Sequence, residues 1–438
     1  MKPESARLAA TQQDAPALFW DHEGRALEPH ELELTELALH PGEVDLLQSA
    51  ARHSGRVLER ERLGLFGLGV AARIVLPFGS GASGASARAA ALLAAVGRAG
   101  QAIALGALPF DPDAPATLVL PKVTAVRRDD ATTALVLGPR REARQQLDEL
   151  LADAAIERAR LDPPDRFELV SAKTHAEFRA LVADAVAAVG AGELDKVVLA
   201  REVIVTANRR FPQADLLGRL RALHPSCLAF ALDGFIGASP ELLCRRRGAA
   251  VSCEPLAGTV ARSGDPEADR RLADALFASP KERHEHGLVV DAITAELARH
   301  EIEVRVPEVP QLLELRNVAH LATPISGTIA NLANAPSALE LACALHPTPA
   351  VGGFPKAPAL DYLAKHEGLE RARYAGPVGY LDSNGDGEFW IGIRSAEVAG
   401  NRARLMAGVG IVEGSDPAAE LAETQLKLQA LLAVVVRP

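Results

Sequence analysis

The feature that most constrains the fold is a set of long apolar segments joined by short turns rich in Gly, Asp and Asn. Two of them read CLAFALDGFIGAS from residue 227 and AGPVGYLDSNGDGEFWIGIRSAEV from residue 375. Apolar residues partly alternate along each segment, and such turns join strands that run in opposite directions. Helical patterns lie between them, including DPEADRRLADALFAS and KERHEHGLVVDAITAELARH. We therefore predict antiparallel sheets combined with helices, the α+β class.

The length of 438 residues allows two or three ordinary domains or one large one. A Pro-rich joint, LDPPDRFEL, separates an N-terminal part (1–165) from the region 166–438. The second region carries most of the segments that suggest chemistry, and we expect it to be the catalytic region.

Charge and composition exclude several classes of partner. A net charge of -10 provides no general attraction for nucleic acid or for an anionic membrane. The sequence contains no run of eighteen apolar residues, so we expect no transmembrane helix. The N-terminus lacks the apolar core of a secretory signal. The four cysteines show no CxxC spacing, which indicates free thiols and a cytoplasmic location.

A strand, a glycine pair and a helix follow one another in RLMAGVGIVEGSDPAAELAETQLK, the segment from Arg404 to Lys427. The strand contains Gly408 and Gly410, where bare backbone can approach a ligand closely. The helix is predicted to begin at the N-cap Asp416, because proline follows it at the first helical position.

One face of this C-terminal helix carries Glu420, Glu423 and Lys427, at offsets of three and seven residues. Two carboxylates and an ammonium beside a glycine turn suit a divalent cation and an anionic ligand. The alternative is a solvated face with an ion pair between Glu423 and Lys427.

Lys196 stands out because only eight of the 47 basic residues are lysines. It opens the apolar segment KVVLAREV, where alternation places it on the same face as Val198 and Ala200. A lysine that faces a packed layer gives up its proton more readily and can act as a general base, which arginine cannot. A strand-edge lysine that extends to water is the structural alternative.

Three further charged residues lie within apolar segments. Glu285 shares a helical stripe with Val289 and Ile293, so it needs a metal ion, an arginine or several donors as partner. A structural ion pair is the alternative. Glu241 follows GFIGASP and suits a general acid or the first turn of a helix. Arg394, in WIGIRSAEV, suits bidentate binding of a carboxylate.

These segments together resemble the chorismate-binding enzyme family, and most closely the isochorismate synthases within it. Nine motifs carry the resemblance, in this order: GELDKVVLAR, GFIGASPELL, EPLAGT, SPKERHEHGLVVDAI, VAHLATPISG, LHPTPAVGGFP, YAGPVGY, IGIRSAEV and AGVGIVEGSDPAAELAETQLKL. Their number and order across most of residues 166–438 make the resemblance specific. The segment GALPFDPDAPA, further upstream, is also similar to this family.

The resemblance implies one large α+β domain with antiparallel sheets packed face to face beneath outer helices. It also implies a magnesium-dependent, reversible conversion of chorismate to isochorismate, in which water adds at C2 and the C4 hydroxyl leaves. Water is a poor nucleophile and hydroxide a poor leaving group, so a base and an acid are both needed. On the matching positions, Lys196 would activate the water and Glu241 would protonate the departing hydroxyl.

The resemblance further implies how the magnesium ion and the substrate are bound. Glu285 and Glu423 would hold the ion, with Glu420 close by, and the ion would bind the ring carboxylate. The residues implied to contact the substrate are Gly258, Thr259, His320, Thr348, Arg394, Gly408, Gly410 and Lys427. We expect a monomer, with a weak homodimer as the alternative.

Two positions depart from the family pattern. Met406 replaces a residue that is often aromatic in relatives, and Val260 stands where relatives often place an arginine. Met406 makes the predicted pocket wall more pliable, because its side chain is flexible. Arg262 is the candidate substitute for the missing arginine.

Several relatives use chorismate differently. Those that add ammonia usually carry Gln at the position of Lys196, and aminodeoxychorismate synthases tend to have Lys at the position of Ala257. Both positions therefore favour water as the nucleophile. Salicylate synthases share the lysine and then eliminate pyruvate, but the segment HPTPAVGG favours isochorismate as product. A catalytically silent chorismate-binding protein is disfavoured, because the acid, base and metal positions carry competent residues. The sequence leaves the downstream pathway open among menaquinone, catecholate siderophore and salicylate.

Overall fold

The computed structural model describes residues 19–20, 26–27, 33–39, 55–61, 63–76, 82–96, 102–129, 131–156 and 162–436. Within these residues there are nine α-helices, none of them both long and apolar enough to cross a membrane. The helices are α1 (Ala82–Val96), α2 (Ala143–Ile156), α3 (His175–Gly190), α4 (Gln213–Leu223), α5 (Pro266–Ala278), α6 (Pro280–Arg299), α7 (Ala338–Leu345), α8 (Lys356–His366) and α9 (Pro417–Val435).

The first of two large sheets has eleven strands. In chain order they are β1 (Phe19–Trp20), β2 (Ala26–Leu27), β6 (Ala72–Leu76), β7 (Ile103–Ala107), β8 (Ala116–Leu120), β15 (Leu242–Arg247), β16 (Ala250–Glu254), β18 (Ile302–Arg305), β21 (Ile325–Ile329), β23 (Pro377–Asp382) and β24 (Gly387–Ile391). Their spatial order is β18-β21-β16-β15-β24-β23-β7-β8-β6-β1-β2.

The second large sheet has twelve strands. They are β3 (Leu34–Leu39), β4 (Arg56–Arg60), β5 (Leu63–Leu68), β9 (Val123–Arg128), β10 (Ala131–Leu137), β11 (Phe167–Ser171), β12 (Lys196–Ala207), β13 (Leu228–Leu232), β14 (Phe235–Ser239), β22 (Gly353–Phe354), β25 (Ser395–Ala399) and β26 (Arg402–Ile411). Their order is β11-β12-β26-β25-β14-β13-β4-β5-β9-β10-β3, and β22 pairs with β12. A small third sheet contains β17 (Leu256–Ala261), β19 (Gln311–Glu314) and β20 (Val318–Ala322).

Alternation along β13 shows how the second sheet is buried on both faces. Leu228 and Phe230 belong to the core that also contains Leu105 and Trp390 of the first sheet, so the two large sheets pack face to face. Ala229, between them in the chain, points into a separate core that contains residues of α4 and α9. The apolar run LAFAL therefore suits a strand whose two faces are both covered.

All strand pairs among the described residues for which a register is defined are antiparallel, for example β13 with β14 and β23 with β24. Together with the helices, this confirms the predicted α+β class and the face-to-face packing of the sheets. Strands that precede residue 165 lie in both large sheets, beside strands that follow it. The division at residue 165 therefore does not separate two sheets, and it stays a prediction about sequence regions.

Two helices begin close to the long β12–β26 pair. The N-cap Asp416 of α9 accepts hydrogen bonds from the backbone N–H groups of Ala418 (3.1 Å) and Ala419 (2.8 Å), as predicted. Helix α6 begins in the same way, with Ser279 as N-cap and Pro280 at the first position. Because α9 packs on β26 and α6 on β17, their first turns carry charged side chains to one place.

Candidate active site

One cavity is lined by residues of β12, β17, β20, β26, α6 and α9, together with the connecting segments near residues 350, 373 and 394. Eleven of the thirteen residues predicted from the sequence line it: Glu241, Gly258, Thr259, Glu285, His320, Arg394, Gly408, Gly410, Glu420, Glu423 and Lys427. Lys196 lies immediately behind this lining. The structure therefore brings together segments that are far apart in the chain.

Lys196 forms an ion pair with Glu285, which lines the cavity. The distance between Lys196 Nζ and Glu285 Oε1 is 2.8 Å, and the lysine side chain is fully buried. Burial raises the pKa of Glu285, but the Lys196 ammonium, with Lys427 and Lys281, outweighs burial and lowers it below its ordinary value. The lysine therefore faces the interior, and the alternative of a lysine that extends to water is wrong.

Gly410 makes room for this ion pair. A Cβ atom at position 410 would lie 2.3 Å from Glu285 Oε1 and 3.1 Å from Lys196 Cε. Gly410 pairs with Val198 across the β12–β26 ladder, which places it beside the start of the lysine-bearing strand. The glycine is therefore required for the close approach of the Glu285 carboxylate, a reason that the sequence alone does not give.

Glu423 and Lys427 form the (i, i+4) pair that their spacing allows. The distance from Lys427 Nζ to Glu423 Oε1 is 2.7 Å, and the same ammonium donates to the carbonyl oxygen of Gly408 at 2.9 Å. Both side chains line the cavity and are less than a third exposed. The pair is therefore part of the cavity wall rather than of an open solvated face.

Lys281 and Glu420 join the first turns of α6 and α9, with 2.9 Å between Nζ and Oε1. Glu282, beside this pair, also lines the cavity. Burial, with the nearby Glu285 and Glu423 carboxylates, raises the pKa of Glu282 to about 7. Burial likewise raises the pKa of Glu420. Burial therefore disfavours the charged form of both carboxyl groups.

The carboxylates are placed close to lysines rather than around a common point. Glu285, Glu420 and Glu423 are each paired with a different lysine. Among the residues that the structure describes, no three His, Cys, Asp or Glu side chains form a ready metal-binding group. Carboxylate oxygens are nevertheless the ligands that magnesium prefers, and five glutamates line this one cavity. These carboxylates therefore fit a hard divalent cation once they are no longer paired with the lysines.

Glu241 is a buried carboxyl group of the cavity lining, between β14 and β15. Burial raises its pKa to about 8, although the Leu256 N–H and the ammonium groups of Lys196 and Lys427 act in the other direction. Its carboxyl group is therefore largely protonated at neutral pH and can donate a proton. This is the charge state that a general acid needs.

Arg394 is held in place by His320. Histidine Nδ1 lies 3.2 Å from the carbonyl oxygen of Gly258 and 3.2 Å from Thr259 Oγ1. Because a carbonyl only accepts, Nδ1 carries the proton and Nε2 is left to accept from Arg394 Nη2 at 3.3 Å. Burial and the Arg394 guanidinium lower the pKa of His320 to about 3, so the ring is neutral.

Thr348 differs from the other predicted substrate contacts. It is buried in the turn before β22, where its carbonyl oxygen accepts from the N–H groups of Val351 and Gly352, but it is not among the cavity-lining residues. Its neighbours Ala350 and Val351 line the cavity instead. Thr348 therefore shapes the turn that supplies the wall. Met406 lines the cavity, whereas Val260 does not.

Several cavity residues were not predicted: Lys281, Glu282, Ala350, Val351, Arg371 and Tyr374. Glu282 could have been found, because it lies one helical turn before Glu285 on the same face. Arg371 could not. Its guanidinium donates to Glu367 Oε2 at 2.7 Å and to the carbonyl oxygen of Val351 at 2.8 Å, while Glu367 accepts from the Ala200 N–H at 2.8 Å. This buried ion pair fixes the wall at Val351 to the strand that begins with Lys196.

The sequence model of the chorismate binding enzyme family matches residues 97–436. This chain therefore belongs to the chorismate-binding enzyme family, and the resemblance found in its motifs is confirmed.

Curated relatives are named as isochorismate synthases. The isochorismate synthase EntC of Escherichia coli is 38% identical over 339 residues, which cover 76% of this chain and 81% of that protein. The salicylate biosynthesis isochorismate synthase of Pseudomonas aeruginosa is 44% identical over 270 residues, which cover 60% of this chain and 55% of that protein.

Solved structures share the fold. The menaquinone-specific isochorismate synthase MenF of Escherichia coli superposes with a TM-score of 0.80 at 27% identity and covers 99% of this chain and 98% of its own. A putative 2,3-dihydroxybenzoate-specific isochorismate synthase, DhbC, from Bacillus anthracis has a TM-score of 0.77 at 32% identity and covers 89% of this chain and 98% of its own. Anthranilate synthase component I of Streptococcus pneumoniae, at 20% identity and a TM-score of 0.64, shows the fold alone.

Proposed function

We propose that this chain is an isochorismate synthase and that chorismate is converted reversibly to isochorismate in the cavity described above. The observation that carries the proposal is a buried lysine and a buried, largely protonated carboxyl group at one cavity of a chorismate-binding enzyme. The names of the relatives support the same activity.

Lys196 is the proposed base and Glu241 the proposed acid. In its neutral form Lys196 accepts a proton from the water that forms the new bond to C2. Glu241 gives its proton to the C4 hydroxyl, which leaves as water while the ring double bonds shift. One proton is taken up and one is given, so the product is an isomer of the substrate. The buried position of both groups keeps bulk water from carrying out either transfer.

Magnesium is the proposed cofactor, with Glu285 and Glu423 as ligands and Glu420 close by. When bound, the ion offsets the charge of the substrate ring carboxylate, which a chain of net charge -10 does not do by its general field. The support for this assignment is the set of glutamates that line the cavity.

Arg394 and Lys427 are the proposed partners of the substrate carboxylates. Arg394 is 9% exposed and is fixed by the neutral His320 ring, so its guanidinium needs little reorganisation to bind an anion. Lys427 is similarly fixed by the carbonyl oxygen of Gly408. Gly258 and Thr259 belong to the wall that orients His320.

The alternative of a salicylate synthase differs in product. Salicylate formation would break the enolpyruvyl C–O bond and release pyruvate with gain of aromaticity, which makes it essentially irreversible. Isochorismate formation only exchanges one allylic hydroxyl for another, so it stops at an equilibrium mixture. We expect purified enzyme with magnesium to reach one mixture from either chorismate or isochorismate and to release no pyruvate.

The products can be separated by chromatography while pyruvate is followed with lactate dehydrogenase and NADH. No other lyase is added, and authentic isochorismate without enzyme corrects for spontaneous loss of pyruvate. Stoichiometric pyruvate with a salicylate fluorescence signal would overturn the assignment. A chain that binds chorismate and forms neither product would be the silent binding protein.

The pH dependence should reveal the proposed acid. Because burial raises the pKa of Glu241 to about 8, the proton-donating form is present below that pH and disappears above it. We therefore expect kcat/KM for chorismate to fall as pH rises through about 8, where kcat/KM reports groups of the free enzyme. A profile that stays flat between about pH 7 and 9 at saturating magnesium would contradict this assignment.

A further inference from the structure

Lys281 is a cavity residue with no part in the proposed acid–base chemistry. Its Nζ lies 2.9 Å from Glu420 Oε1, and the Glu282 and Glu285 carboxylates are close enough to act on its charge. It is one of three lysines paired with cavity glutamates, and the other two, Lys196 and Lys427, already have proposed roles.

The two partners differ in how freely they can move. The side chain of Glu420 is 5% exposed and follows the N-cap Asp416 in the first turn of α9. The side chain of Lys281 is 37% exposed at the start of α6, on a flexible stem that can extend to water. If the pair separates, the lysine is therefore the member that leaves, whereas the carboxylate stays in the cavity.

A departing lysine would leave Glu420 as a buried carboxylate without its main partner. Such a group favours a replacement cation, because an unpaired charge in a low-dielectric site is unfavourable. A divalent ion beside Glu423 and Glu285 can serve as that replacement. The ammonium and the ion then compete for one carboxylate, and they repel each other when both are near.

We propose that Lys281 is an internal counter-ion that a divalent cation displaces from Glu420, so that this residue sets the metal affinity of the cavity. The inference rests on the metal site of the proposed function and adds that Lys281 controls how tightly this site binds the ion. Lys281 weakens metal binding in the free enzyme and keeps Glu420 in place until the ion arrives. It is a positioning residue and does not contact reacting atoms.

The test measures binding of Mn²⁺ alone, without chorismate, by the loss of the electron paramagnetic resonance signal of the free ion. K281M should bind Mn²⁺ about tenfold more tightly than the parent enzyme, because both the competition and the repulsion are removed. K365M, at an exposed lysine in the last turn of α8, should leave the affinity unchanged. Thermal unfolding confirms that each variant is folded.

A double substitution tests whether Lys281 acts through Glu420. E420Q should weaken Mn²⁺ binding, and K281M should tighten binding less in the E420Q background than in the parent, because only the repulsion is left to remove. Equal affinity of K281M and the parent, or full additivity in the double variant, would overturn the inference while leaving the metal site intact. A parent enzyme that binds no Mn²⁺ at all would overturn the metal assignment itself.

Discussion

Lys196→Gln should reduce the conversion of chorismate to isochorismate by about 10²- to 10⁴-fold, the range that general acid–base catalysis contributes. Glutamine has a similar length but cannot take a proton from water. The buried position of Lys196 leaves little space for another base to replace it, since its ammonium is fully enclosed by protein. The effect should appear in kcat at saturating magnesium and chorismate.

The same variant offers a second measurement. Ammonia is nucleophilic without a base, so Lys196→Gln should permit slow amination in concentrated ammonium buffer although water addition is lost. K365Q on the surface is the matched control and should behave as the parent enzyme. A folded Lys196→Gln enzyme that still forms isochorismate at near the parent rate would show that Lys196 is structural.

The loss of Lys196 also affects its partner. Without the ammonium at 2.8 Å, the Glu285 carboxylate keeps its burial but loses its nearest positive charge. Breaking a buried pair by removing one partner typically costs about 3–5 kcal/mol of stability. Thermal unfolding with and without magnesium is therefore part of the measurement, so that a loss of rate is assigned only to folded protein.

Local signals in the sequence predicted those parts of the site that depend on a single element. The N-cap Asp416 and the following proline fixed where α9 begins, and the 3.6-residue repeat then placed Glu420, Glu423 and Lys427 on one face. Alternation along β12 likewise oriented Lys196 toward the interior. These inferences succeed because backbone geometry alone sets the direction of each side chain.

The pairing of charges between elements could not be predicted. Each contact of a lysine with Glu285 or Glu420 joins segments more than 80 residues apart, and no periodicity connects them. The role of Gly410 depends on the same distant carboxylate. Thr348 is a related case, because its motif forms a turn in which Ala350 and Val351 line the cavity. The family resemblance located these segments but not their contacts.

The scarcity of lysine proved informative once the fold was known. Of only eight lysines in the chain, Lys196, Lys281 and Lys427 are paired with glutamates at the cavity. The cavity residue Arg371 instead forms a buried pair with Glu367, which lies four residues before it on the chain. A compact ammonium on a flexible stem can be displaced or deprotonated, whereas a bidentate guanidinium is fixed. This difference agrees with the proposed roles of Lys196 as a base and of Lys281 as a displaceable counter-ion.

Glu423→Gln should reduce magnesium-dependent turnover by about a hundredfold or more and raise the magnesium concentration that gives half the maximal rate. An amide oxygen is a weaker, neutral ligand, so the cavity loses part of its attraction for the ion. Glu423 is a cleaner position for this test than Glu285, because its partner Lys427 keeps a second acceptor in the carbonyl oxygen of Gly408. Removal of Glu285 would instead leave Lys196 unpaired in the interior.

Glu413→Gln is the matched control, since it removes the same charge from an exposed position ten residues before Glu423. The rate is measured over a magnesium titration, and Mn²⁺ binding is measured separately in the absence of chorismate. The control should leave the magnesium-dependent rate and the Mn²⁺ affinity unchanged, whereas Glu423→Gln should lower both. If folded Glu423→Gln has an unchanged magnesium requirement, Glu423 is not part of the metal site. If Glu423→Gln binds Mn²⁺ normally but has lost turnover, Glu423 acts on the substrate and not on the metal ion.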